Sequence, residues 1–422
     1  MAQVYLFMVM VFSGLPGLLY SQVFKDSTLR IDYLLGGTSD TAEVFIQLMK
    51  KEPHYGGSLI NLIDDNDYGT YRYRLFDCQS RKLIFSRGFC PLFQEWQTTE
   101  EATKMKKSFY QVAILPFPLV KVNFTIDRKA EDGHYQQLIS LDIDPSDYFI
   151  VNEDTVPFDF EEVIKNGEPA SKVDLVFLPE GYTQQEMSKF MDDVARMTDI
   201  LFAAEPFASR KSDFNVYAVK VSSVQSGTDI PGERIYRNTV FSSTFYTFDI
   251  SRYLTTTDMK SIHDVASRVP YDHIFILVNS ERYGGGGFYN FLTVSTTDNN
   301  LTPQVLIHEF GHAFAGLADE YYTSEVAYTE YYNLKVEPWE PNITTLVKFE
   351  SKWKDMIGKK TPVPTPRDEK FKNTLGVFEG GGYVTKGIYS PMMDCRMKSN
   401  QAEGFCPVCK KAIETTIDRY CR

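Results

Sequence analysis

The sequence predicts a two-domain α+β protein in which an N-terminal β-sandwich is followed by an α/β domain. Its 422 residues suit two domains, at roughly 100–200 residues per domain. Short alternating runs fill the chain up to Val151, and strand patterns alternate with helical patterns after Lys172. An acidic, turn-rich stretch separates the two, so the expected domains are residues 22–160 and 161–422.

The N-terminal part shows period-two alternation of apolar and polar residues, for example at 28–34, 71–76 and 120–126. Alternation of this kind, with many β-branched and aromatic residues, indicates half-buried strands of a sandwich. This stretch contains no recognisable catalytic constellation. Its two histidines, His54 and His134, are isolated and are predicted to have structural roles.

The C-terminal part begins with a different pattern. Residues 173–178, 214–221 and 273–278 are predicted to be strands. Residues 183–204 carry apolar positions at helical spacing, opened by Thr183 and Glu186 in a capping-box arrangement. Strands alternating with helices are typical of an α/β layer.

Residues 1–21 have the length and shape of a signal peptide, with Ser21 before the expected cleavage point. The segment lacks the usual Lys or Arg, and an uncleaved membrane anchor is the alternative. Later segments are too polar to span a bilayer, so the mature chain is predicted to be secreted, periplasmic or at the cell surface. A net charge of −12 and a pI near 5.1 argue against nucleic acid or an anionic membrane as a partner.

The strongest chemical feature is the pair His308 and His312 with Glu309 between them. Thr302 as N-cap and Pro303 as first helical residue predict the start of a helix. On that helix both imidazoles share one face and could bind one zinc ion. Glu309 is rotated by about 100°, which suits proton transfer from a water rather than metal binding. The alternative is an amphipathic helix with a chance spacing of histidines.

A catalytic zinc needs a third protein ligand, and none of the six histidines follows this pair. His263 and His273 lie upstream, but His273 opens an apolar strand and is predicted to be structural. The carboxylates Asp319 and Glu320 remain. Gly316 precedes them and can end the helix in a left-handed conformation that bends the chain back.

The stretch from His308 to Tyr321 resembles the metzincin metallopeptidases, and more closely the IgA-peptidase family of zinc metallopeptidases. Residues 377–383 and 387–391 resemble the downstream block of that family. Its members also tend to carry an N-terminal β domain. The chain has one extra residue before Gly316, and Ser390 stands where a more basic residue is expected.

This resemblance implies a metzincin-like zinc peptidase domain with Asp319 as the third ligand, since the spacing from Gly316 is kept. Glu320 is the alternative ligand, with Asp319 then orienting a histidine. A methionine turn, a hydrophobic floor beneath the metal, is expected at Met397.

The predicted function is therefore a secreted zinc endopeptidase that acts on protein or peptide substrates. Zinc would be held by His308, His312 and Asp319, and Glu309 would be the general base. The alternatives are a zinc amidase or deacylase acting on cell-wall or glycan amides, and a non-enzymatic surface-binding protein with a vestigial zinc site. The family name points to immunoglobulin, but the sequence leaves the substrate and the oligomeric state open.

Three further features have open interpretations. Gly284–Gly287 is predicted to be an edge strand that takes up an extended peptide by β-augmentation, or a flexible loop. A tyrosine could donate to the tetrahedral oxyanion, and the candidates are Tyr321, Tyr383 and Tyr389.

The six cysteines suit an oxidising compartment. Cys78 and Cys90 could form a disulfide. Cys406 and Cys409 are predicted to form disulfides with Cys395 and Cys421. The alternative is that these four cysteines bind a second, structural zinc.

Overall fold

The computed structural model describes residues 23–152, 158–322 and 332–421. Within these ranges the chain is a mixed α+β protein with several sheets and few helices. The strands are β1 (Phe24–Gly37), β2 (Ala42–Glu52), β3 (Tyr71–Asp77), β4 (Leu83–Phe89), β5 (Lys107–Pro118), β6 (Val122–Lys129), β7 (Tyr135–Ile143), β8 (Ile150–Val151), β9 (Asp159–Ile164), β10 (Val173–Glu180), β11 (Phe214–Lys220), β12 (His273–Val278), β13 (Gly285–Phe288), β14 (Leu292–Thr296), β15 (Phe378–Gly381) and β16 (Val384–Ser390). The helices are α1 (Leu92–Gln97), α2 (Met187–Ala203), α3 (Met259–Ala266), α4 (Thr302–Ala315) and α5 (Pro407–Cys421). Across the described ranges, every helix is too short or too polar to cross a membrane.

The N-terminal part consists mostly of strands, in two four-stranded sheets of order β5-β1-β2-β8 and β4-β3-β6-β7. Side chains from both sheets, including Leu29, Ile31 and Phe124, belong to one hydrophobic core. The three segments predicted to be strands correspond to β1, β3 and β6. Period-two alternation therefore identified these strands correctly.

Strand β1 departs from the predicted half-buried pattern because both of its faces are buried. Arg30 and Asp32 are each 0% exposed. Arg30 Nη1 donates to Glu52 Oε1 at 3.2 Å and to Asp264 Oδ1 of α3 at 2.7 Å, while Arg30 Nε donates to Asp32. Buried charges persist only when they are paired, so this ion cluster joins the N-terminal sheet to the C-terminal part.

A six-stranded sheet of order β13-β14-β12-β10-β11-β9 forms the centre of the C-terminal part. Its four inner strands are parallel, and the edge strands β13 and β9 run antiparallel to their neighbours. The predicted strands correspond to β10, β11 and β12, and the predicted helix to α2. The capping box of Thr183 and Glu186 is present.

This sheet separates two hydrophobic cores. Helices α2, α4 and α5 pack on one face against residues such as Leu175. Helix α3 and the N-terminal strands pack on the other face, against residues such as Val176. The predicted division at residue 160 falls inside β9, which pairs with β11, and residues 153–157 lie outside the described ranges. The division into two domains stays a prediction.

Helix α4 begins one residue earlier than its sequence suggests. Thr302 is its first residue rather than its N-cap, and the Thr302 hydroxyl donates to the carbonyl of Thr296 at 2.9 Å. The helix ends at Gly316, which has φ 63° and ψ 31°. This left-handed end confirms the predicted turn, after which the chain can bend back toward the histidines.

Candidate metal centre

Helix α4 presents His308 and His312 on one face, as a spacing of four residues requires. Their Nε2 atoms are 3.0 Å apart. His308 Nδ1 lies 3.0 Å from the carbonyl oxygen of Arg396, and His312 Nδ1 contacts the carbonyl oxygen of Leu317. A carbonyl can only accept, so each Nδ1 carries a proton, and in the neutral imidazole each Nε2 can present a lone pair to a metal.

Asp319 is brought to the same point by the turn at Gly316. Its Oδ1 atom lies 3.0 Å from His308 Nε2 and 3.3 Å from His312 Nε2. Asp319 is 6% exposed, and Oδ1 accepts no hydrogen bond. Its other oxygen, Oδ2, accepts a hydrogen bond from the Tyr383 hydroxyl.

Three lone-pair atoms thus converge in a buried position, where they repel one another unless a cation lies between them. A tetrahedral zinc with bonds of about 2.0 Å places its ligand atoms about 3.3 Å apart. The observed separations of 3.0–3.3 Å fit this geometry. The donor set of two imidazoles and one carboxylate is one that zinc uses in catalytic sites.

The electrostatics of the group agree with this geometry. Burial raises the pKa of the Glu309 carboxyl, although the two histidines oppose it. Burial also acts to raise the pKa of Asp319, but the histidines outweigh it and hold that pKa well below its usual range. Burial alone would lower the pKa of His312, yet the charge of Asp319 raises it to about 9. The pocket therefore favours positive charge beside Asp319.

The histidines, Glu309 and Asp319 all line one cleft with a volume of about 460 Å³. Other parts of the chain complete its walls with residues that the sequence did not single out. Their positions depend on the tertiary fold, and no local sequence motif predicts that they line the cleft. They include Arg252, Tyr253, Tyr283, Tyr289, Trp339 and Glu340.

The glycine-rich segment forms β13 at the edge of the sheet, as one of its two interpretations predicted. Gly287 is required by close packing, since a Cβ there would lie 2.1 Å from the carbonyl oxygen of Glu309. The outer edge of β13 is partly engaged, because Tyr253 bridges Gly285 and the Leu254 amide lies 3.4 Å from the Gly285 carbonyl oxygen. Binding of a substrate strand at this edge stays a prediction.

The three candidate tyrosines separate in space. Tyr321 and Tyr383 line the cleft, with ring centroids 5.2 Å apart. Tyr389 is not among the described residues that line the cleft, and its backbone pairs with Thr344. Met397 is fully buried, and a Cβ on Gly311 would lie 2.9 Å from its sulfur. Met397 therefore packs against the segment of α4 between the two histidines.

The upstream histidines have other partners. His263 Nδ1 lies 2.8 Å from the Tyr271 hydroxyl, and His273 Nε2 lies 2.9 Å from the Thr293 hydroxyl. Both histidines are buried. Neither belongs to the group formed by His308, His312 and Asp319, and the structural role of His273 stays a prediction.

The cysteines do not form the predicted disulfides, since all six are free thiols. Cys78 follows β3 at the turn of the β3–β4 hairpin, whereas Cys90 follows β4 at the opposite end. The seven residues of β4 at about 3.3 Å each keep these thiols roughly 20 Å apart. Cys421 lies away from the other three C-terminal cysteines, with its sulfur 3.5 Å from the carbonyl oxygen of Asp213.

Glu320, the alternative third ligand, points away from the histidines. Its Oε1 atom lies 3.3 Å from the sulfur of Cys409 and accepts from Asn342 Nδ2 at 3.0 Å. The two adjacent carboxylates thus face two different groups of potential ligands.

Comparison with known proteins gives a family. The family model described as IgA Peptidase M64 matches residues 162–374 and 367–417, and the one described as Peptidase M64 N-terminus matches residues 19–140. A search of curated proteins finds no match. The first match alone covers more than half of the 422 residues, and the chain therefore belongs to the IgA peptidase M64 family.

Proposed function

We propose that this chain is a secreted, zinc-dependent endopeptidase that uses Glu309 as general base. Membership of the IgA peptidase M64 family makes it a peptidase, a hydrolase whose substrates are proteins. The single observation that supports zinc dependence and a general-base role for Glu309 is the convergence of His308, His312 and Asp319 beside Glu309 in one cleft.

Zinc is the proposed metal, held by the two Nε2 atoms and by Asp319 Oδ1. When bound, it supplies a Lewis acid that lowers the pKa of a water and polarises the substrate carbonyl. The Arg396 and Leu317 carbonyls fix the imidazole tautomers, and Tyr383 holds the second oxygen of Asp319. Partners of this kind orient metal ligands and increase their basicity.

Glu309 is the proposed acid–base group because it follows His308 on α4 and lines the cleft without belonging to the converging trio. Its carboxylate takes a proton from the attacking water and returns it, as a carboxylic acid, to the leaving amine nitrogen. Close packing on β13 at Gly287 keeps the backbone of Glu309 in place.

Tyr321 is the better candidate for stabilising the oxyanion. It lines the cleft and packs edge-on against the ring of Tyr383. Tyr383 already donates its hydroxyl proton to Asp319. A tyrosine hydroxyl directed at the developing negative charge lowers the barrier by electrostatic stabilisation.

The metzincin-like arrangement is part of the same proposal. Helix α4, the left-handed turn at Gly316 and the packing of Met397 against Gly311 support it. The first 21 residues lie outside the described ranges, and their proposed role is export. N-terminal sequencing of protein recovered from the medium or periplasm should begin at Gln22, and a mature protein that retains Met1 would exclude cleavage.

The decisive experiment compares the wild-type chain with Glu309→Gln on a library of peptides, with zinc content measured in parallel. We expect chelator-sensitive cleavage by the wild type. The variant should keep its zinc and lose about 10²–10⁴-fold in rate. A variant that kept zinc and full activity would refute the proposed role of Glu309 as general base. Turnover of amide-linked sugars instead of peptides would favour the amidase alternative, and no turnover of either would favour a binding protein.

A further inference from the structure

A second group of potential metal ligands lies buried behind the candidate catalytic site. It consists of Glu320, Cys395, Cys406 and Cys409, whose exposures are 0%, 1%, 4% and 0%. One ligand atom from each lies within 4.8 Å of all the others. None of the four lines the cleft, and the proposed peptidase mechanism does not use them.

The distances in this group match a metal site better than a disulfide. Cys409 Sγ lies 3.7 Å from Cys395 Sγ, 3.5 Å from Cys406 Sγ and 3.3 Å from Glu320 Oε1. A disulfide would bring two sulfurs to about 2.05 Å. A tetrahedral zinc with Zn–S bonds of about 2.3 Å and a Zn–O bond of about 2.0 Å gives S–S edges of about 3.8 Å and S–O edges of about 3.5 Å.

The backbone around the sulfurs suits thiolates. The Cys406 amide donates to Cys395 Sγ at 3.2 Å, and the Cys409 amide donates to Cys406 Sγ at 3.5 Å. Cys406 immediately precedes α5, and Cys409 lies in its first turn. Amide donors and a helix N-terminus both stabilise a thiolate, the form of cysteine that binds metals.

Glu320 supplies an independent indication of a missing partner. Its Oε2 atom accepts no hydrogen bond from the protein. Because the residue is 0% exposed, bulk water cannot supply one. Asn342 Nδ2 holds the other oxygen at 3.0 Å. An unpaired carboxylate oxygen is costly in such a position, and a cation among the three sulfurs would pair with it.

We propose that Glu320, Cys395, Cys406 and Cys409 bind a second, structural zinc ion. Three thiolates select a soft or borderline metal over calcium or magnesium. Four protein ligands close the coordination shell, which is the hallmark of a structural rather than a catalytic site. Glu320 thus takes the fourth ligand position, for which the sequence had suggested Cys421.

The second site would also position the first. Glu320 follows Asp319 directly, and its amide donates to the carbonyl of Met397 at 2.8 Å. Cys395 immediately precedes Arg396, whose carbonyl fixes the tautomer of His308. A metal bound to both Glu320 and Cys395 therefore joins the two segments that support the catalytic ligands, without itself touching the cleft.

The test measures zinc per chain and the absorption spectrum after cobalt substitution, on the full chain purified without chelators. We expect two zinc ions in the wild type and one in the double variant His308→Ala/His312→Ala. That variant should be inactive yet keep the sulfur-to-cobalt absorption band that thiolate ligands produce. Metal content and the cobalt spectrum can be measured on an inactive protein. The test of the second site therefore does not depend on whether the chain is a zinc peptidase.

Variants of the second group provide the converse. Cys406→Ser/Cys409→Ser should lose one zinc ion and the sulfur-to-cobalt band, and Glu320→Gln should weaken zinc retention with the fold intact. Cys421→Ser is the matched control and should keep both ions. The proposal would be overturned if the double histidine variant held no metal and gave no such band. A disulfide among Cys395, Cys406 and Cys409 in the protein as purified would also overturn it, and neither result depends on a cysteine variant that folds.

Discussion

Replacing Gly287 with alanine tests how closely strand β13 must approach helix α4. The added Cβ would lie 2.1 Å from the carbonyl oxygen of Glu309 and 2.9 Å from its carbonyl carbon. Side-chain carbons essentially never approach other heavy atoms within 3.0 Å. The strand and the helix must therefore separate by about 1 Å, and neither contact atom can rotate away because both belong to the backbone.

Two measurable effects follow from that displacement. Forcing an extra carbon into a packed core costs about 1–3 kcal/mol of unfolding free energy. A misplacement of about 1 Å in a catalytic group can lower activity by about 10²-fold, and Glu309, the proposed general base, is the residue that moves. Both losses should appear together in Gly287→Ala.

The assay combines urea unfolding with kcat/KM on a peptide identified by library profiling. Gly404→Ala is the matched control, because a Cβ at Gly404 would meet no heavy atom within 4 Å. It should keep both stability and activity. A Gly287→Ala variant that matched the wild type in both measurements would refute the packing argument.

Two further predictions concern charge and metal retention. Burial raises the pKa of Glu52 from 4.5 to about 7, although Arg30 opposes it. The stability contributed by protonated Glu52 is therefore fully present below pH 4.5 and is lost as the pH rises to about 7, by at most about 3 kcal/mol. In Glu52→Gln the unfolding free energy should therefore depend less on pH between pH 4.5 and 7. Glu43→Gln is the control, because Glu43 is exposed on the same strand, and it should leave this pH dependence unchanged. An unchanged pH dependence in Glu52→Gln would contradict the assignment. Tyr383→Phe removes the hydroxyl that holds Asp319 Oδ2 and should weaken zinc affinity about 10–100-fold in chelator competition, while equal weakening by a Tyr389→Phe control would argue against a specific role.

The sequence was sufficient where the controlling interactions are local. His308 and His312 share a face because four residues make about one helical turn, and Gly316 ends α4 because glycine adopts a positive φ without strain. The strands β10, β11 and β12 followed from short apolar runs bounded by turns. Each of these features depends on residues within one turn or one strand, which the sequence displays directly.

The sequence failed where residues distant in the chain meet. A disulfide between Cys78 and Cys90 was a possible pairing from the sequence, but the β3–β4 hairpin holds the two residues at its opposite ends. The buried Arg30 could not be anticipated, since its partner Asp264 lies 234 residues away. Arg252 is another residue that only the fold brings into the cleft.

The sequence by itself predicted a pair of metal-binding histidines on one helix face and favoured a neighbouring carboxylate as the third ligand, because local helix geometry is set within one turn and no histidine follows His312. The tertiary structure decided how the adjacent carboxylates divide. Asp319 faces the two histidines, and Glu320 faces three cysteines from the last thirty residues. Asp319 and Glu320 lie outside any helix or strand, so what each side chain meets depends on the elements that pack around this segment.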